Sequence, residues 1–254
     1  MDKTLVKGFA VLEALVRSDA PRGVADLARE MNLQKSNVHR TLQTLQNCGY
    51  VSSKSGLYSP AMKIWELGSL VIGRLDIKQV AGPVLATLTR QSGESVHLSL
   101  LDRGEVIYID KLEGTHPVRA YSQIGGRAPC FCVATGKVLL AFQPDDVVHR
   151  IVAGGLTRYT SKTITDRTSL QRELIKVRAN GYAINRGEWR EGVCGVAAPI
   201  LDASGAVTAA LGVSGPANRY QPKALRTLIP LVCAAARDVS SRMGAPMQLE
   251  GITA

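Results

Sequence analysis

What this chain lacks narrows it before any motif is read. Phe, Trp and Tyr together make only 5% of it. No apolar run approaches the roughly 18–20 residues needed to cross a bilayer, so no membrane is expected as a partner. The stretch "MDKTLVKGFAVLEALVRSD" is interrupted by acids and polar groups and does not read as a secretory signal. Cysteine is scarce, odd in number and scattered (Cys48, Cys130, Cys132, Cys194, Cys233). That is no disulfide framework, and a reducing cytoplasm suits it best. Cys130 and Cys132 form a C-x-C pair with no histidine or second cysteine pair nearby, so buried apolar thiols are expected there, not a metal site.

Catalytic signatures are also missing. The four histidines (His39, His97, His116, His149) are far apart and sit in no metal motif. His97 falls inside an expected strand and reads as a satisfied core or pocket histidine. "ATGKV" (134–138) resembles the end of a phosphate-binding loop, but Phe131 stands where its first glycine belongs. Val138 follows Lys137 where Ser or Thr should hold magnesium. "GVSGP" (212–216) is not a nucleophile elbow. Glu188 and Glu191 flank Trp189 and Arg190 and read as a turn with salt bridges rather than an acid–base pair. No catalytic residue, cofactor or metal ligand is expected, and the chain does not read as an enzyme.

What is present is basic charge. Lys and Arg number 31 against 21 Asp and Glu, a net of +10 over 254 residues. Residues 1–75 carry ten basic and six acidic groups, net +4; the remaining twenty-one and fifteen give +6. A polyanion partner is implied, although net charge speaks to association and not to fold. The length suits one large domain or two smaller ones with a real core.

Residues 4–18 repeat apolar groups at Leu5, Phe9, Leu12, Leu15 and Val16, an amphipathic helix broken by "SDAPRG". A short helix follows with Val24, Leu27, Ala28 and Met31 on one face, then a tight turn at "NLQ" (32–34). A third helix, about 35–47, buries Val38, Leu42 and Leu45 and ends at Gly49 as a C-cap. "YVSSKSGLYS" (50–59) reads as a hairpin. Helix, helix, three-residue turn, helix, hairpin is the order of a winged helix-turn-helix. The second helix of such a unit lies in the DNA major groove. Its exposed side here holds Lys35, Ser36, Asn37, His39, Arg40 and Gln43, with Gln34 at its start and no acid. Lys35 and Arg40 can meet phosphates or guanine edges, and Asn37 can pair with adenine. Lys54, at the hairpin tip, is placed to reach a neighbouring phosphate. Double-stranded DNA is the expected partner.

"MKIWELGSLVIGRLD" (62–76) repeats apolar residues at Met62, Ile64, Trp65, Leu67, Leu70, Val71 and Leu75 and reads as a linker helix that packs on a partner. The expected divisions are 1–61, 62–76 and 77–254. Beyond the linker, helices are expected at 77–92, 133–142, 144–153, 166–180 and 222–243. Strands are expected at 95–102, 105–113, 118–124, 182–188, 195–202 and 207–215. The tail "GAPMQLEGITA" reads as frayed. Three segments rich in small residues stand out: "IGGRAPCFCVATGK", "NRGEWREGVCGVAAP" and "GVSGPANR". Small residues let backbone amides approach a ligand, and the amides near Ala134–Gly136 can hold an anion at a helix start. A carboxylate-sensing pocket follows as the leading expectation.

At this point the residues resemble the IclR family of bacterial transcriptional regulators over about 5–243. "LQKSNVHRTLQTLQNCGYV" resembles the family's DNA-reading helix and wing entry. "IGGRAPCFCVATGKVLLA" is similar to its G-x-R-x-P…A-x-G-K segment, and "NRGEWREGVCGVAAPILDASGAVTAALGVSGPANR" to its G-E…G-V…A-x-P…S-G-P…R signature. The resemblance implies an α+β chain: winged helix-turn-helix, linker helix, and a C-terminal GAF-like α/β effector domain. It implies a homodimer or homotetramer, a pseudo-palindromic operator and a small organic acid effector. Carried over by motif, the effector positions would be Ala128, Ala134, Thr135, Asn185, Val193, Gly195, Gly212 and Ser214. Some members carry Asp, Cys and Ser where this chain has Asn185, Gly195 and Gly212, which implies a roomier, less acidic pocket and a larger ligand such as an aromatic acid. "YSPAMK" (58–63) departs from the family's Tyr-x-Leu-Gly. Two other readings compete: an enzyme acting on a small carboxylate with an attached DNA-binding domain, and a scaffold that binds proteins through its winged helix.

Overall fold

A computed structural model describes residues 2–73, 76–120 and 122–246. The chain divides into two compact units, Met1–Arg74 and Leu75–Ala254.

The first unit begins with α1 (Lys3–Val16), capped by the Asp2 carboxylate, which accepts from the Thr4 and Leu5 amides at 2.8 and 3.2 Å. Strand β1 (Arg22–Gly23), α2 (Val24–Glu30) and α3 (Lys35–Asn47) follow. Gly49 closes α3 with φ 79°; its N–H donates to Gln46 O and that of Tyr50 to Leu45 O. That paired arrangement satisfies two orphan carbonyls and needs a left-handed residue after the cap. Strands β2 (Val51–Lys54) and β3 (Leu57–Pro60) pair through a two-residue turn at Ser55 and Gly56, φ 54° and 78°. Positive φ at both centres matches the strand twist of a tight hairpin. One difference from the expected hairpin is β1, which pairs with β3 (Arg22 opposite Tyr58) and makes the wing a three-stranded sheet. Val11, Leu15, Leu27, Ala28, Val38, Leu42, Val51 and Tyr58 form the core of this unit. Helix α4 (Met62–Gly73) completes it, with Met62, Trp65 and Leu70 exposed. The expected linker helix reached residue 76; residues 74 and 75 lie outside the described residues.

The second unit is a six-stranded antiparallel sheet in the order β6-β5-β4-β9-β8-β7. Its strands are β4 (Ser95–Asp102), β5 (Glu105–Leu112), β6 (Arg127–Pro129), β7 (Ala183–Arg186), β8 (Val193–Leu201) and β9 (Val207–Pro216). Helices α5 (Asp76–Ser92) and α9 (Pro222–Arg242) cover one face, burying Leu85, Leu88, Val96, Leu98, Val196, Leu211 and Val232 together. Helices α6 (Ala134–Ala141) and α8 (Arg167–Asn180) cover the other, with Val138, Leu139, Leu170, Leu174 and Ala197; α7 (Asp145–Ala153) packs beside them through Val148, Ile151 and Val152. A sheet covered on both faces explains why β8 and β9 read as nearly continuous small and apolar runs.

The expected strand at 118–124 is a correction. Residues 118–120 and 122–124 are loop, Tyr121 lies outside the described residues, and the sheet gains β6 instead. The loop is held by side chains, not by a ladder: Arg219 donates to Val118 O at 3.1 Å and Lys111 Nζ to Ser122 O. Arg219 is itself fixed by a bidentate pair with buried Glu94 at 2.6 and 2.7 Å. Of the expected frayed tail, 244–254, residues 247–254 lie outside the described residues.

Candidate functional site

In the first unit, α3 offers an outer face without one acid along its length. Gln34 occupies the position before the helix, and Lys35, Ser36, His39, Arg40 and Gln43 are exposed. Asn37 is half-buried and, with Arg40, borders a groove between α1 and α3 that is lined by Leu5, Phe9 and Leu12. Lys54 is the last residue of β2, exposed at the turn. The C-terminal end of α3 is anchored by Lys63, whose ammonium donates to Cys48 O at 2.9 Å and lies 4.6 Å from the centre of the Tyr50 ring. Only the basic residue just past the hairpin signalled that anchor in the sequence. The face combines cations, hydroxyls and amides on a helix with a free N-terminus. Those are the donors that meet phosphates and base edges.

In the second unit a cavity of about 40 Å3 opens between α6 and the sheet. Register builds its floor. Asn185, Gly195 and Ser214 are directly opposite one another on β7, β8 and β9, so they share one face of the sheet. Ala197, Gly212 and His97 make the next row across β8, β9 and β4. The glycines are needed for closeness. A Cβ on Gly212 would stand 2.8 Å from Thr135 Cγ2 and 3.0 Å from Ala197 Cβ; one on Gly195 would stand 2.8 Å from Val213 O. The first turn of α6 therefore rests almost on the strands. Its N-cap, Val133, offers no side-chain cap and its first turn holds no acid. The leading amides of α6 have no intrahelical acceptor, so the helix start carries the kind of donors that an anion can accept from.

Seven of the eight expected effector positions line this cavity: Ala134, Thr135, Asn185, Val193, Gly195, Gly212 and Ser214. Ala128 does not. It lies on β6 opposite Val106, fully buried in the core with Cys130. His97, read from the sequence as a core or pocket histidine but not as an effector position, also lines it, and sequence reasoning missed Tyr108, Ala120, Ser122, Trp189 and Arg190. A signal for His97 was present in "SVHLSLLD", where Ser95, His97 and Ser99 alternate with Val96, Leu98 and Leu100; all but Leu100 are buried. A buried polar face at period two marks an interior that is not plain core.

The lining holds no Asp or Glu. Its one permanent cation is Arg190, exposed at the rim with its guanidinium 4.4 Å from the centre of the Trp189 ring. His97 is held down at about 3, chiefly by burial and then by Lys111, against the opposing pull of Glu113. Its Nε2 lies 2.6 Å from Ser214 Oγ and its Nδ1 3.3 Å from Ser122 Oγ. The ring sits 5.2 Å from that of Tyr108, whose hydroxyl burial pushes up to about 12. Thr135 Oγ1 is buried without a partner. Asn185 Oδ1 accepts from the Gly187 and Glu188 amides, both at 3.0 Å, and so sets the turn that carries Trp189 and Arg190.

One turn into α6 the Lys137 side chain is fully buried. Its ammonium donates to Glu173 Oε1 at 2.7 Å, to Ile184 O at 2.7 Å and to Glu188 Oε1 at 3.1 Å. This is a structural ion cluster, in agreement with the rejection of a phosphate loop. Glu188 turns inward to it while Glu191 is exposed, so the two carboxylates do not converge. Cys130 and Cys132 are both buried with thiols pushed up to about 12 by burial, and no cluster of metal-ligating side chains occurs among the described residues. No described helix is long and apolar enough to cross a membrane.

Two family models match the chain: "IclR helix-turn-helix domain" over residues 4–55 and "Bacterial transcriptional regulator IclR C-terminal" over residues 69–241. The chain is similar to the HTH-type transcriptional regulator KdgR of Escherichia coli, 35% identical over 95% of this chain and 92% of the relative. Among solved structures it is similar to the IclR of Thermotoga maritima, with a TM-score of 0.78 and 31% identity over 96% of this chain and all of that one. It is also similar to an IclR homologue of Microbacterium hydrocarbonoxydans complexed with 4-hydroxybenzoate, TM-score 0.82 and 25% identity over 95% and 99% of the two chains.

Proposed function

The chain belongs to the IclR family of bacterial transcriptional regulators, with a DNA-binding helix-turn-helix and a C-terminal effector domain, and from that premise we propose that its effector is a small organic acid bound at the start of α6. The observation that carries this reading is the charge of the cavity. No acid lines it, Arg190 stands at its rim, and a bare helix N-terminus faces it. An anion is stabilised at such a terminus and a cation is not. The 4-hydroxybenzoate held by the Microbacterium homologue is an acid of the same broad class.

On the DNA side, Lys35, Ser36, Asn37, His39, Arg40 and Gln43, with Gln34 and Lys54, are the proposed contacts. Gln34 and Lys35 stand at the helix start, where base edges are within reach of a helix in the groove; Lys54 reaches the flanking backbone. A two-fold homodimer, or a homotetramer of two such pairs, requires a pseudo-palindromic operator with half-sites about one helical turn apart or a multiple of it. The effector acts by differential affinity for two arrangements of that assembly. A cytoplasmic location follows from the same reading.

The test is selection of genomic fragments by the purified protein at near-physiological salt, followed by sequencing, with and without a panel of organic acids. Salt matters because a basic protein holds any DNA at low ionic strength. Enrichment of one palindromic site that an acid relieves or strengthens supports the reading. No enriched site under any condition refutes it.

A further inference from the structure

We propose that the second unit carries a further small-molecule site, a cleft between α7 and α8 that takes an amphipathic carboxylate, with Arg167 meeting the anion.

Two helical stripes build the cleft. On α8, Arg167, Leu170, Gln171, Leu174, Ile175 and Arg178 fall at i, i+3, i+4, i+7, i+8 and i+11. On α7, Asp145, Val148, His149 and Val152 fall at i, i+3, i+4 and i+7. Residues at those spacings share one face of a helix. The two faces border a cavity of about 220 Å3. For scale, a cavity of about 150 Å3 lined by aliphatic side chains holds benzene. None of the residues lining the cleft lines the cavity at the start of α6.

The stripes are apolar in the middle and charged at the ends. Leu170 and Leu174 are buried, half-buried Val148 and Val152 pack on the same core, and Ile175 forms the lip. Arg178, at one end, is already engaged: it donates to the carbonyls of Ala141 and Gln143, and Asp145 stands 4.0 Å away. Arg167, at the other end, is exposed and makes one contact among the described residues, donating from Nη2 to His149 Nε2 at 2.7 Å. A guanidinium carries five N–H donors in a fixed fork. The imidazole takes one and holds the fork in place, and the remaining donors face the mouth of an apolar cleft without a carboxylate partner. A ligand carboxylate matches such a fork in bidentate fashion. Leu174 lies two turns along α8 from Arg167, roughly 10 Å at about 1.5 Å per residue. The complementary occupant is an acid with an apolar body of that length.

Exposure decides between a small molecule and a protein. Of the cleft's large apolar side chains only Ile175 is exposed. The others lie inside, where a slender chain or ring reaches them and a flat surface does not. A stable protein interface needs about 800 Å2 from each partner, which one isoleucine among polar neighbours does not supply.

Calorimetric titration of the full chain with butanoate, hexanoate and octanoate, and with octanol as the uncharged match, tests this. Affinity is expected to rise about fourfold per methylene toward octanoate, as each enters the apolar floor. Octanoate is expected to bind about 10- to 100-fold tighter than octanol, because only the acid gains the charged pair. Arg167→Gln should cut octanoate affinity by a similar factor and leave octanol unchanged. Ile175→Glu, which places a carboxylate at the lip, should weaken octanoate more than octanol. Both positions are exposed, and circular dichroism checks that each variant folds. No binding of any of the acids at millimolar concentration, equal affinity for octanoate and octanol, or octanoate binding that survives both variants overturns the proposal; the last result would put the acid elsewhere on the chain. Sedimentation of Ile175→Glu without ligand is expected to match the native chain. A smaller particle would place a second copy of the chain in the cleft and overturn the proposal as well.

Discussion

Replacing Lys137 with methionine keeps most of the side-chain volume and removes a cation buried under the cavity. In the native chain its ammonium meets Glu173, Glu188 and the Ile184 carbonyl within 3.1 Å. Glu173 is about a quarter exposed and can rehydrate, but the Glu188 side chain is only 10% exposed. Its carboxyl is already raised above the ordinary range, by burial first and against the pull of Lys137. Without the lysine both lowering influences vanish and it rises further. Removing one member of a buried pair costs about 3–5 kcal/mol at neutral pH. For a unit of this size that is a fall in Tm of roughly 6–20 °C. The sign with pH follows from the raised value. A carboxyl that binds its proton more tightly when folded favours the folded state at acid pH, and that advantage is lost as pH climbs through the folded value. The variant's deficit should therefore be smallest near pH 5 and grow toward pH 8. Urea unfolding followed by the fluorescence of Trp189, next to Glu188 in the chain, measures it. A deficit of the same size at every pH would refute the ion-cluster account and leave only lost packing.

Other consequences can be checked as directly. Arg40→Ala should weaken DNA binding across sequences and lower the slope of log affinity against log salt by about one, if the guanidinium neutralises a phosphate; an unaltered slope removes it from the backbone. Asn37→Ala should relax the selected site at one base position, and an unchanged site logo would show that its half-buried place beside α1 keeps it from the bases. Gly212→Ala puts a methyl 2.8 Å from Thr135 Cγ2. It should destabilise the second unit by about 1–3 kcal/mol and abolish the acid response of operator binding, whereas a normal acid midpoint would mean that α6 can yield. At about pH 8 a thiol reagent should label exposed Cys48 and spare Cys130 and Cys132, whose thiols burial raises to about 12. Mass spectrometry of the native protein reads the pattern, and early labelling at Cys130 or Cys132 would contradict their burial.

Local chemistry was legible wherever one residue type forces one backbone shape. Gly49 ended α3 as its left-handed cap, and the hairpin expected at 50–59 turns on two residues, Ser55 and Gly56. Long apolar periods gave α1, α5, α8 and α9 within a residue or two. Two segments were misread for physical reasons. β1 is two residues long and exists only because β3 pairs with it, so it has no period to read. "VRAYSQI" has strand composition, but Val118 O and Ser122 O accept from the Arg219 and Lys111 side chains instead of a neighbouring strand. Tertiary side-chain bonds outweighed local propensity there.

The cavity shows the same division at the level of function. Gly195 and Gly212 announced a close approach, since small residues have no other strong reason to recur in buried strands. What approached them was not written beside them. Ser214 lies 117 positions from His97, and only the antiparallel register of β4 with β9 brings them together. Lys137 illustrates the same limit, because its three partners come from α8, β7 and the turn after β7. That cluster has a consequence for signalling. It ties the first turn of α6, the strand carrying Asn185 and the turn carrying Trp189 and Arg190 to a single buried charge. Leaving the charge unpaired is costly, so those three pieces move together or not at all. The hydrogen-bonded pair His97 and Ser214 belongs to the other side of the cavity, on β4 and β9. A ligand that met the α6 amides at one end and His97 and Ser214 at the other would join two groups of elements through its own length. Its free energy of binding then depends on their separation, which is the differential affinity that an effector needs to shift an equilibrium.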